Sequence, residues 1–164
     1  SKSGSDDKKI IRYLMSRKKE LLELMDIDTE WMRSDCVVKN SSLSLEDLEL
    51  DAKNCQKCEL YKTRNNVVFG SGHYKAKILI IGEAPGKDED LSGQPFVGRA
   101  GKLLSEILFS MNLNRDDVYI TNTVKCRPPE NRNPSSSETL SCDFFLENQI
   151  NLISPNVILS LIHI

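Results

Sequence analysis

The sequence predicts an α/β domain built on a parallel sheet. Three observations carry that reading. Short apolar, β-branched runs recur at 76–82 ("AKILIIG"), 117–122 ("DVYITN") and 156–159 ("NVIL"). Two longer stretches with helical periodicity, 100–113 and 135–153, separate them. Strands alternating with helices require crossover connections, and hence a parallel sheet.

Each element has its own justification. "AKILIIG" is a nearly continuous apolar run closed by Gly82, as expected of a strand buried on both faces. In "AGKLLSEILFSMNL" the residues Leu103, Leu104, Ile107, Leu108 and Met111 are expected on one helical face. "DVYITN" is rich in β-branched and aromatic residues. The second helix opens with a capping box, Ser135-x-x-Glu138. Ahead of this core, 10–25 reads as an amphipathic helix with Arg17, Lys18 and Lys19 on a solvated face. Residues 33–50 read as a polar linker ending in a short helix, so the expected boundary between the N-terminal segment and the domain lies at 44/45.

Composition narrows the function classes. The 164 residues, 39% hydrophobic and 28% charged, make one globular domain or most of one. A net charge of −2 gives no global signature for nucleic acid and leaves room for a local basic patch. No apolar run approaches the roughly 20 residues of a membrane helix, and no secretory signal is present, so a cytoplasmic protein is expected. Both ends read as cut. Residues 159–164 ("LSLIHI") back-translate as CTG TCT CTT ATA CAC ATC, which resembles a transposon end used in sequencing libraries. The native sequence is therefore expected to stop near Ile158, the remainder being translated adapter, with a genuine "LSLIHI" strand as the alternative, and His163 carries no assigned role.

Five cysteines suit a disulfide framework poorly. Cys55 and Cys58 form C-x-x-C, a turn that points two thiolates at one metal. Cys126 and Cys142 bracket the Pro- and Ser-rich stretch "KCRPPENRNPSSSETLSC", and Cys142 lies on a capped helix. Four thiolates at one site, or four unrelated free thiols, are the two readings; four sulfurs do not by themselves separate zinc from an iron–sulfur cluster. Cys36 has no partner by spacing.

Ligand sites in parallel sheets lie at the carboxyl ends of the strands. The segments there are "GEAPGKDED" and "NTVKCRPPENR". The first lacks both the G-x-x-x-x-G-K-[ST] and the G-x-G-x-x-G spacing, which argues against a phosphate loop. Glu83, directly after a strand, is suited to orienting water or stabilising positive charge. Phe96, in the Gly-rich "GQPFVGRAG", is either a stacking aromatic or a hydrophobic staple for the next helix. Asn122 is either a turn residue or an amide that reads a polar ligand edge.

Taken together, "GEAPGKDEDLSGQPFVGRAGKLL", "YITNTVKCRPPENRNPSSSE" and the upstream C-x-x-C resemble the family-4, iron–sulfur uracil-DNA glycosylases over about 45–158. The resemblance implies a three-layer α/β/α sandwich whose last strand and helix lie beyond residue 164. It implies a [4Fe–4S] cluster on Cys55, Cys58, Cys126 and Cys142, structural or DNA-contacting in role. It also implies a monomer acting on uracil-containing DNA, single- or double-stranded, with no membrane partner. Glu83 matches the family's motif-one acid, Phe96 its stacking aromatic and Asn122 the residue that pairs with the uracil edge. Backbone N–H groups around Ala84 and Gly86 are expected to face the developing anion, and Lys125, Arg127 and Arg132 to contact phosphates. The family's second motif, with a His that hydrogen-bonds the uracil carbonyl, falls outside 1–164, so residues 1–164 alone are expected to be inactive or poorly folded. A non-catalytic iron–sulfur module binding nucleic acid is the alternative, and a zinc-ribbon regulator a more distant one.

Overall fold

A computed structural model describes residues 43–162. The helix expected at 10–25, its basic stretch, Cys36 and His163 lie outside the described residues.

The domain opens with helix α1 (Leu45–Lys53). Ser44 caps it reciprocally: its Oγ accepts from the Asp47 N–H at 3.1 Å, and Asp47 Oδ2 accepts from the Ser44 N–H at 3.3 Å. Strand β1 (Ser71–Gly72), strand β2 (Ile78–Gly82) and helix α2 (Lys87–Ser92) follow. Next come helix α3 (Arg99–Ser110), strand β3 (Tyr119–Asn122), helix α4 (Ser136–Ile153) and strand β4 (Val157–Ser160). The capping box expected at Ser135 is present: Ser135 Oγ accepts from the Glu138 N–H at 3.3 Å, and Glu138 Oε2 accepts from the Ser135 N–H at 2.7 Å.

The sheet order is β1-β3-β2-β4. Strands β3, β2 and β4 run parallel, with Gly82 in register with Asn122 and Ile81 with Ser160. The two-residue β1, absent from the sequence reading, adds an antiparallel edge against β3 and makes the sheet mixed. Side-chain alternation sends Leu79, Ile81 and Tyr119 toward a layer containing Leu48 of α1 and Phe145 of α4. Ile80 and Ile120 point the other way, onto Leu104 and Leu108 of α3. Helices thus cover both faces, the three-layer arrangement of an α/β fold.

Two elements differ from expectation. On α3 the buried stripe is Gly101, Leu104 and Leu108, whereas Leu103, Ile107 and Met111 are exposed. One 3.6-residue stripe cannot place 103 and 104 equally inward, and contact with β2 and β3 selects the 104/108 row. The segment "KDEDLS" forms α2, with Asp88, Glu89 and Asp90 in its first turn, where the helix dipole favours acids.

Candidate active site and cysteine cleft

The carboxyl ends of β2 and β3 are tied to each other. The Thr123 N–H donates to the Gly82 carbonyl at 2.9 Å, and the Val124 N–H and Thr123 Oγ1 donate to the Glu83 carbonyl at 3.2 and 2.6 Å. Gly82 is where two predicted site residues, Phe96 and Asn122, come together. A methyl group added there would collide with Asn122 Oδ1 and lie 2.6 Å from Phe96 Cζ, so the absent side chain is what lets the amide and the ring approach. Asn122 is buried, and its backbone carbonyl accepts from Lys125 Nζ at 2.7 Å. Glu83 and Ala84 follow directly, both half-buried. Ala84 also packs against the α1/α4 layer.

Phe96 lies between α2 and α3 with its backbone at φ 53°, a left-handed conformation that a bulky residue seldom adopts. Both staple and stacking readings have a physical basis here, because the half-buried ring packs on the α3 layer and also reaches Gly82. Glu89 organises the surrounding backbone. Its Oε1 accepts from the Val97 and Gly98 N–H groups at 2.9 Å each, and its Oε2 accepts from the Gly86 N–H at 3.1 Å. The Gly86 N–H is therefore occupied, which corrects the expectation that it faces a developing anion.

The second cluster lies behind β3. Cys55, Cys58, Cys126 and Cys142 line one narrow cleft, together with Tyr61, Arg64 and Phe145. Arg64 Nη1 donates to Cys126 Sγ at 3.1 Å, and the Lys125 N–H donates to Cys142 Sγ at 3.4 Å. Burial pushes both thiols up, Cys142 to about 11, while Arg64 and Lys125 pull in the opposite sense. Among the described residues no three His, Cys, Asp or Glu side chains converge as around a single ion.

Lys125 is not where the sequence reading put it. Placed beside Cys126 in a polar loop, it was expected to reach phosphate. The structure buries it, with Nζ donating to Thr121 Oγ1 at 2.8 Å, the Asn122 carbonyl at 2.7 Å and Gln149 Oε1 at 2.6 Å. Burial lowers its pKa to about 7, opposed by the charge of Cys142. Arg132 is exposed, but its guanidinium is engaged twice by Glu138, at 2.7 and 2.9 Å. Arg127 Nε donates to Asn131 Oδ1 at 2.7 Å. Arg64, Glu89, Thr121 and Gln149 were all missed, since each acts on a partner far away in sequence or on backbone groups.

A family model described as the uracil DNA glycosylase superfamily matches residues 69–161, more than half of the chain. The chain belongs to the uracil DNA glycosylase superfamily. Within that superfamily it is similar to the type-4 uracil-DNA glycosylase of Archaeoglobus fulgidus, 54% identical over 118 residues, which are 72% of this chain and 59% of that protein. The type-4 uracil-DNA glycosylase of Saccharolobus solfataricus is 52% identical over 112 residues, 68% of this chain and 52% of its own length. That of Thermotoga maritima is 50% identical over 109 residues, 66% and 57% respectively. The chain thus spans a little over half the length of these relatives. No described helix of this superfamily member is long and apolar enough to cross a membrane.

Proposed function

We propose that the protein hydrolyses the N-glycosidic bond of uracil in DNA, as a monofunctional repair glycosylase. The observation that carries this reading is the meeting of the Phe96 ring and the Asn122 amide over Gly82, with Glu83 as the next residue. A target base must leave the stack, at a cost of a few kcal/mol in duplex. Stacking on Phe96 returns roughly 1–3 kcal/mol of that. The Asn122 amide can accept from N3–H and donate to O4 of uracil, whereas cytosine presents the opposite pattern. As the bond breaks, positive charge grows on the sugar and negative charge on the base. Glu83 is placed to orient water or to stabilise the cation, and the Ala84 N–H remains the backbone donor for the anion.

Cys55, Cys58, Cys126 and Cys142 line one cleft and would hold a [4Fe–4S] cluster, the group that the likeness to type-4 enzymes supports. Such a group, bound there, would supply a structural anchor. The residues' own contribution is to pin the 127–141 excursion at both ends and to turn Arg127 outward for phosphate. Arg132 shares its charge with Glu138 and is the weaker contact. The acceptable DNA, single-stranded or duplex, follows from how easily the base is extruded.

The test is uracil release from a single-uracil oligonucleotide. The protein is extended through the second motif and purified without oxygen. Release that drops about 10²–10³-fold with Asn122→Ala, the scale of removing one preorganised polar group, supports the reading. No release by a folded, brown protein that still binds the oligonucleotide replaces it with a non-catalytic binding module.

A further inference from the structure

Arg115 has no role in the scheme above, yet its guanidinium is aimed at the segment that carries Phe96. Nη2 donates to the Pro95 carbonyl at 2.6 Å and Nη1 to the Phe96 carbonyl at 3.0 Å, with a third, longer contact from Nη1 to Ser105 Oγ at 3.3 Å. No carboxylate pairs with it among the described residues, so the cation is directed at backbone oxygens and not at an ion pair. On the far side of the same turn, Glu89 takes the next two N–H groups, Val97 and Gly98. Four consecutive residues, 95–98, are thus held by one cation on their carbonyls and one anion on their amides. The held residue is the one at φ 53°, a conformation that persists only where the surroundings impose it. Gly101 of α3 completes the fit, since a Cβ there would lie 2.9 Å from Phe96 Cα.

We infer that Arg115 is a positioning residue for Phe96, acting with Glu89 to fix the ring over Gly82 before a base arrives. This rests on the glycosylase reading for its consequence, though not for its geometry. A planar, five-donor fork serves two adjacent carbonyls at once, which an ammonium does not do with the same geometry. The bland alternative, that Arg115 merely steadies the fold, predicts the same loss of stability but no dependence on what side chain occupies position 96.

Two measurements separate these. The first needs no activity. In a Trp31→Phe background, a Phe96→Trp reporter is quenched with acrylamide with and without Arg115→Gln. A severalfold rise in quenching at unchanged far-ultraviolet dichroism is expected, and an unchanged quenching constant overturns the inference whether or not the protein releases uracil. The second is single-turnover uracil release by the protein extended through the second motif. Arg115→Gln should slow it about tenfold, short of the roughly 10²-fold that a 1 Å misplacement can cost, with Arg115→Lys only partly restoring it. In a Phe96→Ala background the same substitution should cost less than about twofold. Equal costs in both backgrounds would show that Arg115 does not act through Phe96. An unextruded, unreleased uracil with the parent protein fails the glycosylase reading, and the quenching result then decides the positioning claim alone.

Discussion

At Gly82 the missing side chain leaves the room that the Phe96 ring and the Asn122 amide both occupy. Gly82→Ala should displace the Asn122 amide or the Phe96 ring, with a stability loss of about 1–3 kcal/mol from overpacking. Uracil release should fall far more than the melting temperature suggests, and parallel thermal-unfolding and release assays on this variant check both. Lys125→Met makes the complementary prediction. It removes a cation from three acceptors, Thr121 Oγ1, Gln149 Oε1 and the Asn122 carbonyl, and each acceptor left unpaired costs about 1–3 kcal/mol. DNA affinity of the surviving folded fraction should keep the salt dependence of the parent, because no phosphate contact is lost; a shallower slope would restore Lys125 to the DNA-binding set. The positions of Glu83 after β2, Asn122 at the end of β3 and Phe96 in a Gly-rich loop were legible in the sequence, because strand ends and glycine clusters leave local patterns. Lys125 was misread because proximity to Cys126 in sequence says nothing about the direction of a long side chain. Glu89 and Arg115 were illegible for a different reason: both bind main-chain groups, which leave no trace in residue identity.

At the scale of elements, helix α4 has a measurable pH signature. Hydrogen bonding from Arg132, aided by the Ser135 N–H and opposed by burial, holds the Glu138 carboxyl down at about 2, against an ordinary value of 4.5. A depressed carboxylate pKa stabilises the fold fully above the unfolded value. That contribution is lost as pH falls from about 4.5 through about 2. Glu138→Gln should therefore lower the melting temperature at pH 7 and flatten the acid limb of a stability–pH curve; a limb of unchanged steepness contradicts it. The cost at neutral pH should be about 0.5–2 kcal/mol, the range of a lost helix cap. The capping boxes at Ser135 and Ser44 are local patterns, and the first was read directly from sequence. The inward row of α3 was read only in part. Leu103, Ile107 and Met111 are as apolar as Leu104 and Leu108, and only contact with Ile80 and Ile120 decides between them.

At the scale of the whole molecule, the parallel β3-β2-β4 sheet was visible because β2 is apolar on both faces, as burial on both sides requires. The antiparallel β1 was not, since two residues carry no periodicity. The cleft joins segments from 55 to 142, so whatever holds its four sulfurs together closes long loops of chain. On the proposed cluster reading, oxidation and chelation should strip the group and lower the melting temperature. Its loss should also make the 127–135 stretch sensitive to trypsin at Arg132, the Arg127–Pro128 bond being resistant to that protease, and a cleavage pattern indifferent to the group's presence would contradict the anchoring role. Lys125 belongs to this scale as well, because its N–H serves Cys142 while its Nζ serves the carbonyl of Asn122. In a saturation screen for repair activity, position 125 should therefore score as intolerant as the pocket residues themselves. A ranking built on such scores would rate it an active-site residue, although what it holds is a buried joint between the cysteine cleft and the end of β3.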